Sequence, residues 1–265
     1  NFGLTAALTG LGAANICAGT IDLGAFSTAG TILTESGGTL SGTGTLTVSG
    51  ATNFSGSAGV ESGTGTTIAQ GGVSLATSTT MTLDTGRSLQ LQGTSTINGV
   101  NDFIKLNGGT LTIAAGAVVN DVTTSGGGNG GLNVTSLGGS PTMVNQGTYN
   151  KTGASTSSTI GVTFNNTGTD AQHLATVNVT NGTLVLTGGG TDTFASYTGS
   201  SGTVQFGGGT RTIDANSTVT GRTDFHGGTT TISGIYNAAG TTVSGGVANF
   251  GLTAALTGLG AANIC

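Results

Sequence analysis

Apolar residues alternate with threonine or serine in short runs along almost the whole chain, and glycine-rich turns separate these runs. Typical runs are Leu46-Thr47-Val48, Met81-Thr82-Leu83 and Leu184-Val185-Leu186. A period of two places apolar side chains on one side of an extended strand and polar side chains on the other. The pattern therefore predicts many short strands, each of about three to five residues.

Helix-forming stretches are nearly absent because glycine interrupts the windows in which a helix would have to form. The exception is 4–15, where Leu4, Leu8 and Leu11 have helical spacing. Gly10 and Gly12 disfavour a helix there, so we interpret this stretch as a variant strand and loop.

A glycine-rich motif that ends in threonine and an apolar residue recurs in 186–194, 206–213 and 225–232, with an earlier copy in 106–113. The apolar residues that close the last three copies are Phe194, Ile213 and Ile232, and the spacing between them is the same both times. Two more strand-like pieces, 217–219 and 223–225, lie between Ile213 and Ile232. Each unit of about twenty residues thus carries three short strands.

Three strands per unit predict one coil of a triangular parallel β-solenoid, all-β, with about twelve coils of about twenty residues. Side chains at alternate positions point inward and stack between coils. We expect Phe206 to stack on Phe225 and Ile213 on Ile232, with Phe194 in the same column as the isoleucines. Two alternatives remain: an antiparallel sandwich or barrel, whose strands usually run longer, and an amyloid of stacked hairpins.

The opening segment 1–17, NFGLTAALTGLGAANIC, returns unchanged as 249–265. We interpret 1–248 as one period of a tandem array and 249–265 as the start of the next period. A scar of cloning is the alternative explanation. If the array is continuous, the two copies should be related by a translation along the solenoid axis with a modest rotation.

The chain is weakly charged, with 5 Lys and Arg, 10 Asp and Glu, and only 6% charged residues in total. So few basic residues argue against nucleic acid and anionic lipid as partners. Apolar runs are too short for a membrane-spanning helix, which excludes membrane insertion by helices. A mean hydropathy of +0.20 with a net charge of −5 is not typical of a disordered chain. We expect an ordered or self-associating protein.

Reactive side chains are scattered, and the pattern predicts no enzyme, cofactor or metal. Asp192 and Arg211 are expected at equivalent positions of successive coils, together with Thr230, and would form an ion pair on the surface. Asp84-Thr85-Gly86 matches the Asp-Thr-Gly triplet of aspartic proteases. These enzymes need two such aspartates, and the chain has no second copy, so we interpret the triplet as a turn. No cysteine lies near His173 or His226 at metal-ligand spacing.

Cys17 and Cys265 are the same position of the period seen twice. A linear solenoid of about twelve coils holds them roughly 58 Å apart, so they cannot form a disulfide with each other. They are candidates for a cross-link between chains, and a buried free thiol is the alternative.

Several segments, among them 38–50, 160–169, 177–191 and 204–213, resemble the strand-rich repeats of very large bacterial surface proteins. They are similar in style to autotransporter passenger and filamentous haemagglutinin-type β-helices. The resemblance implies an exported, extracellular or cell-surface protein with a structural or adhesive role, and it implies no catalytic residue.

Together these features predict a structural β-solenoid repeat of an extracellular filament, sheath or giant surface protein. We expect copies of the repeat to stack head to tail into a fibre, and lateral self-association is a further hypothesis. The alternative is an adhesin that binds a glycan or a host protein through one face, for which Tyr149, Tyr197 and Tyr236 are the available tyrosines. Thr-X-Thr phrases also raise ice binding as a hypothesis, which charged residues such as Asp192 and Arg211 between the threonines weaken.

Overall fold

The protein is described here by a computed structural model that covers residues 10–56, 59–76, 78–99, 102–124, 130–154, 157–199 and 201–265. Its described residues form an all-β parallel solenoid of about 11 turns, which confirms the predicted fold class. Each turn contributes three short strands, one to each face of a triangular coil. Within the described residues, no helix has the length and apolar character that a bilayer span requires.

Face A begins with β1 and includes the second half of β3, which bends across a corner between two faces. Its strands are β1 (Gly12–Ile16), β3 (Thr28–Glu35), β6 (Thr52–Phe54), β9 (Val73–Leu75), β12 (Thr94–Ile97), β15 (Val118–Asp121), β18 (Thr148–Lys151), β21 (Ala175–Val179), β24 (Ala195–Thr198), β27 (Thr218–Val219), β30 (Ile235–Asn237) and β33 (Ala255–Gly258).

Face B is a single 12-stranded parallel sheet. Its strands are β2 (Thr20–Asp22), β4 (Thr39–Ser41), β7 (Gly59–Glu61), β10 (Thr80–Leu83), β13 (Phe103–Asn107), β16 (Asn133–Gly138), β19 (Ser157–Ile160), β22 (Thr183–Leu186), β25 (Thr203–Phe206), β28 (Arg222–Phe225), β31 (Gly240–Val243) and β34 (Ala261–Ile264).

Face C starts with the first half of β3, which pairs with β5. It continues through β5 (Thr45–Val48), β8 (Thr66–Ala69), β11 (Ser88–Leu91), β14 (Thr110–Ile113), β17 (Thr142–Asn145), β20 (Thr163–Asn166), β23 (Gly190–Asp192), β26 (Thr210–Ile213), β29 (Thr229–Ile232) and β32 (Val247–Phe250). The segments of β20 and β23 are joined by an isolated bridge between Thr167 and Thr193 and by backbone hydrogen bonds from Phe164 to Gly189 and from Thr193 to Asn166.

The alternation of the sequence explains the core. In β5, for example, Leu46 and Val48 are buried while Thr45 and Thr47 are half-buried on the outside. Successive coils repeat this pattern, and the inward apolar residues form two core clusters along the axis: a small one that includes Leu46 and Val48, and a large one that begins at Phe54. Glycine is required at one stacked turn, where Gly189, Gly209 and Gly228 have φ of 69°, 67° and 67° and pack closely against neighbouring coils.

The aromatic residues singled out above stack along this core. Phe206 pairs with Phe225, and their rings are stacked with centroids 5.4 Å apart. Ile213 pairs with Ile232, and all four side chains are buried. Tyr197 contacts Phe206 edge-on, at 5.7 Å between centroids. Burial of large rings in register supplies much of the hydrophobic stabilisation of these coils.

Phe194 does not occupy the column of Ile213 and Ile232, so that expectation is wrong. The residue paired with Ile213 is Asp192, and Phe194 follows it half-buried, with a positive φ of 47°. The register places Gly190 opposite Arg211, which leaves room inside the coil for the guanidinium group. In this register Asp192, half of a buried ion pair, takes the place of an apolar residue beside Ile213.

The repeated segment lies on different faces in its two copies. In the first copy 13–16 belongs to β1 on face A, whereas in the second copy the identical residues form β34 on face B. Both copies keep the same local bend, with φ of 59° at Gly12 and 60° at Gly260. From β1 to β34 the chain advances by about 11 turns and one further face. The expected modest rotation is therefore wrong, since the copies differ by about a third of a turn.

Candidate functional site: charged groups inside the solenoid

The most completely bonded charged group inside the solenoid is the pair of Asp192 and Arg211. Nη1 of Arg211 lies 2.8 Å from both carboxylate oxygens of Asp192. The second guanidinium nitrogen donates to the carbonyl of Gly189 at 2.7 Å, and Tyr197 donates its hydroxyl to Asp192 at 2.8 Å. The backbone N–H of Asn166 also donates to this carboxylate. Each charge is thus met by hydrogen bonds as well as by its counter-ion.

Aromatic rings enclose the same guanidinium group. The rings of Phe164 and Phe206 lie 5.7 Å and 5.8 Å from its central carbon. The side chains of Arg211 and Asp192 are only 2% and 0% exposed. Asp192 raises the pKa of Arg211 although burial opposes this, and burial raises the pKa of the Tyr197 hydroxyl well above its usual value. The expected surface ion pair is therefore wrong: the pair is part of the core.

A second cluster consists of Glu35, Glu61, Arg87 and Thr67, and it holds two acids for one base. Nε of Arg87 contacts Glu61 at 3.3 Å, and its terminal nitrogens donate to Thr67 and to the carbonyl of Gly42. The charge of Glu61 acts on Glu35, and neither carboxyl oxygen of Glu35 has a hydrogen-bond partner. All three charged side chains are buried.

Burial changes the protonation of this second cluster. Desolvation raises the pKa of Glu35 to about 9, and repulsion from Glu61 adds to this. Desolvation also raises the pKa of Glu61, against the attraction of Arg87. At neutral pH the cluster therefore keeps a proton on Glu35, and Glu61 is the acid in contact with the guanidinium group.

A third cluster lies at the ends of β15 and β18. Asp121 and Lys151 are direct partners in these strands and are both 0% exposed. Tyr149 and Ser158 donate their hydroxyls to Oδ2 of Asp121 at 2.7 Å and 2.5 Å. Thr123 donates both its backbone N–H and its hydroxyl to Oδ1.

Asp102 is a further buried acid near this cluster. The backbone N–H of Thr79 donates to its Oδ1 at 3.2 Å. Desolvation raises the pKa of Asp102 to about 6, and the charge of Asp121 contributes to this rise.

These interior groups share one signal that the sequence contained. Glu35, Glu61, Asp121, Lys151 and Asp192 each occupy the last inward position of a strand, where most coils carry an apolar residue. A charged residue at this inward position of the apolar–polar alternation therefore indicates a side chain that points into the coil. Of these five residues sequence reasoning singled out only Asp192, which it assigned to a surface ion pair, and so it missed their inward orientation.

The motifs considered for chemistry lie on the outside. Thr85 and Gly86 have φ of 54° and 89°, and Asp84 accepts a hydrogen bond from Thr85, so this triplet is a turn. His173 is exposed and contacts Asp170 at 2.8 Å, and His226 is exposed beside Ser244. Among the residues that the structure describes, no three His, Cys, Asp or Glu side chains are grouped as metal ligands.

The outer surfaces are mostly uncharged. On face C, Thr210 and Thr212 point outward while Arg211 between them points inward, so no charge separates these two threonines. Tyr149, Tyr197 and Tyr236 are all 0% exposed. They therefore provide no aromatic platform on a lateral face.

The coil that contains β32, β33 and β34 exposes apolar side chains. Leu252 and Ile264 are 109% and 82% exposed, and a hollow of about 370 Å³ opens among residues that include Val243, Phe250 and Ile264. The identical isoleucine of the first copy, Ile16, is only 2% exposed. Cys17 and Cys265 are both exposed free thiols.

Comparison with protein-family models, with curated proteins and with solved structures finds no match for this chain. The resemblance to bacterial surface β-helices therefore stays an expectation from sequence style.

Proposed function

We propose that this chain is a structural β-solenoid repeat that stacks end to end, in an extracellular filament, sheath or giant surface protein. The observation that carries the proposal is the contrast between two isoleucines of the repeated segment. Ile16 is covered by its own solenoid, whereas Ile264 is bare beside an apolar hollow. Another coil carrying the same kind of inward apolar residues is the surface that fits this end, because coils bury their core only against neighbours.

Unpaired strand edges support the same assignment. Edge N–H and C=O groups of a parallel sheet are satisfied by another strand, and apolar edges associate. The lateral faces offer mainly threonine, asparagine and serine, which suit exposure to water. The dearth of charge and the interior position of three of the five basic and five of the ten acidic groups favour a load-bearing or surface-covering role over a catalytic role.

The offset of a third of a turn between the two copies determines the rotation between successive periods of the proposed filament. If each period stacks as its repeated segment prescribes, successive periods rotate by about a third of a turn and advance by roughly 54 Å, at about 4.8 Å per coil. Each side of the filament would then show faces A, B and C in succession. The thiol of Cys265 would recur once per period, so a cross-link between chains stays a prediction.

Assembly of the 265-residue chain tests the proposal. Purified protein should form rods whose length grows with concentration, and Ile264→Asp should abolish this growth because a charge would be buried at the junction. Leu137→Asp is the matched control, since Leu137 is also exposed, at 55%, but lies in β16 far along the chain from β32–β34. The readouts are sedimentation velocity and electron microscopy.

Two results would contradict end-to-end stacking: a wild-type chain that stays monomeric at all concentrations, or an Ile264→Asp variant that assembles as the wild type does. Non-reducing electrophoresis of assembled material tests the cysteines separately. The adhesin alternative gains no support from the three tyrosines, because they lie in the core.

A further inference from the structure

Lys151 and Asp121 form an unusual pair for two charged residues inside a protein. They face each other in neighbouring coils, and Nζ of Lys151 lies 3.7 Å from Oδ1 of Asp121. In the Asp192 and Arg211 pair the corresponding distances are 2.8 Å. The ammonium group of Lys151 also donates to the carbonyls of Thr123 and Gly153, at 3.4 Å and 3.2 Å. The amine therefore lies beside the carboxyl group at a longer contact than the one in the arginine pair.

Burial makes this pair costly as two ions, because both charges lose their hydration and the contact of 3.7 Å returns less Coulomb energy than the contacts of 2.8 Å in the arginine pair. Desolvation lowers the pKa of Lys151, which favours the neutral and nucleophilic amine. Burial raises the pKa of Tyr149 well above its usual value, so its hydroxyl stays protonated and donates a hydrogen bond to Oδ2 of Asp121. The interior thus holds an amine, a carboxyl group and hydroxyl donors in contact.

The two oxygens of Asp121 have different partners, and the difference matches the needs of acyl transfer. Oδ1 accepts two hydrogen bonds from Thr123, one from a backbone N–H, as an oxygen that becomes negative in a tetrahedral intermediate requires. Oδ2 accepts hydrogen bonds from the hydroxyls of Tyr149 and Ser158, and the phenol of Tyr149 is placed to pass a proton to this oxygen as it leaves. Fixed positions in neighbouring strands replace a bimolecular encounter by an intramolecular step.

We propose that Lys151 and Asp121 condense into an isopeptide bond that joins two successive coils on face A. Nζ of Lys151 forms a bond to Cγ of Asp121, and the bond between Cγ and Oδ2 breaks. Of the three hydrogens on the ammonium group, one stays as the amide N–H and two leave with Oδ2 as water. Tyr149 passes a proton to Oδ2 and regains one from the nitrogen, so the reaction needs no oxidant or other reactant.

The product suits this site better than the ions do. An amide carries no charge, so it removes two buried charges from the core. Its carbonyl oxygen, which is Oδ1, keeps the donors from Thr123. The bond closes a loop between residues 121 and 151 and so restricts the unfolded chain, as a disulfide does.

Intact mass measurement of the full chain after denaturation tests the proposal directly. The wild-type protein should weigh one water molecule less than its sequence, and proteolysis should release a branched peptide that contains both Asp121 and Lys151. Lys151→Arg should restore the full mass, because a guanidinium group retains the charge but does not condense. Tyr149→Phe should lower the cross-linked fraction several-fold after equal incubation.

A folded wild-type protein with the full mass of its sequence would overturn the proposal, and so would a loss of water that persists in Lys151→Arg. Since the wild-type measurement decides the outcome alone, it does not depend on whether a variant folds. The result is also independent of end-to-end stacking.

Discussion

The solenoid buries an arginine in two places, and the two surroundings differ in how well they satisfy it. Arg211 has one acid, which receives two contacts at 2.8 Å, a tyrosine hydroxyl and a backbone N–H. Arg87 shares its region with Glu35 and Glu61, and its contact to Glu61 is 3.3 Å. Three carboxyl oxygens of these glutamates have no hydrogen-bond partner.

The difference shows that the number of charges, and not burial alone, decides whether an interior ion pair is stable at neutral pH. At Arg211 one acid, Asp192, balances one base, so the cluster has no net charge. Two acids for one base at Arg87 leave one carboxyl group that must carry a proton, and the pKa of Glu35 rises to about 9 accordingly. The first cluster should therefore be insensitive to pH near neutrality, while the second should not.

The largest effect is expected from Arg211→Ala. This change leaves the carboxylate of Asp192 buried without its counter-ion, and the free energy of unfolding should fall by about 3–5 kcal/mol. Urea denaturation at pH 7, followed by circular dichroism, measures it. The double variant Asp192→Leu/Arg211→Leu is the control, since replacing both partners by apolar residues should cost much less. Equal losses in the single and double variants would contradict the ion-pair assignment.

Arg87→Met should destabilise the protein by about 2–4 kcal/mol at pH 8 and by less at pH 5. Without the guanidinium group the buried Glu61 must be protonated in the folded state, and this becomes harder as pH rises above the unfolded pKa of about 4.5. Denaturation midpoints at the two pH values check the difference. A loss that does not change with pH would mean that Glu61 stays ionised without Arg87.

Tyr197→Phe should cost about 2 kcal/mol, because the lost hydroxyl donates to the charged carboxylate of Asp192. Tyr236→Phe is the matched control. Its hydroxyl is buried too, but it bonds only to the neutral hydroxyls of Thr223 and Thr241, so about 1 kcal/mol is expected. Thermal unfolding of the two variants at pH 7 compares them, and the same cost in both would argue against a charge-assisted bond at Asp192.

Glu35→Gln has an expected effect of the opposite sign, because it should stabilise the protein. A carboxyl group with a raised pKa contributes most stability below its unfolded pKa of about 4.5 and loses this contribution as pH rises through about 9. The glutamine variant cannot ionise, so it should be more stable than the wild type at pH 8 and not at pH 4, by up to about 1.4 kcal/mol for each pH unit above 4.5. Denaturation curves at both pH values test this, and a variant that is less stable at pH 8 would refute the protonated state.

The triangular coil could be predicted from the sequence because its cause is local. Alternation of apolar and polar residues sets which side chains point inward, and the three short strands between Ile213 and Ile232 set the shape of one turn. The pairing of Phe206 with Phe225 follows, since each ends a strand of the same face in successive coils. Residues 1–9 of the repeated segment lie outside the described residues, so the interpretation of 4–15 applies here only to β1.

The charged interior could not be predicted from the constant spacing of the glycine-rich repeats. The stretch of chain from Asp192 to its partner Ile213 is longer than the stretch from Phe206 to Phe225, because turns of different length join the strands. A shift by an even number of positions keeps the inward phase but exchanges an aromatic side chain for an acid. Only the packed coil, in which Arg211 requires a carboxylate, decides between the two registers.

The sequence by itself determined the strand pattern, the inward phase and the parallel stacking of coils, because these depend on side-chain alternation and on short repeats. Tertiary structure decided which inward residues meet. Glu35, Glu61 and Arg87 come from separate coils, and Asp121 meets Lys151 only because β15 lies beside β18. It also decided that identical segments occupy different faces, since the accumulated length of all the turns sets the face at which the second copy arrives. Desolvation inside a closed coil then fixes which of these groups carry a proton.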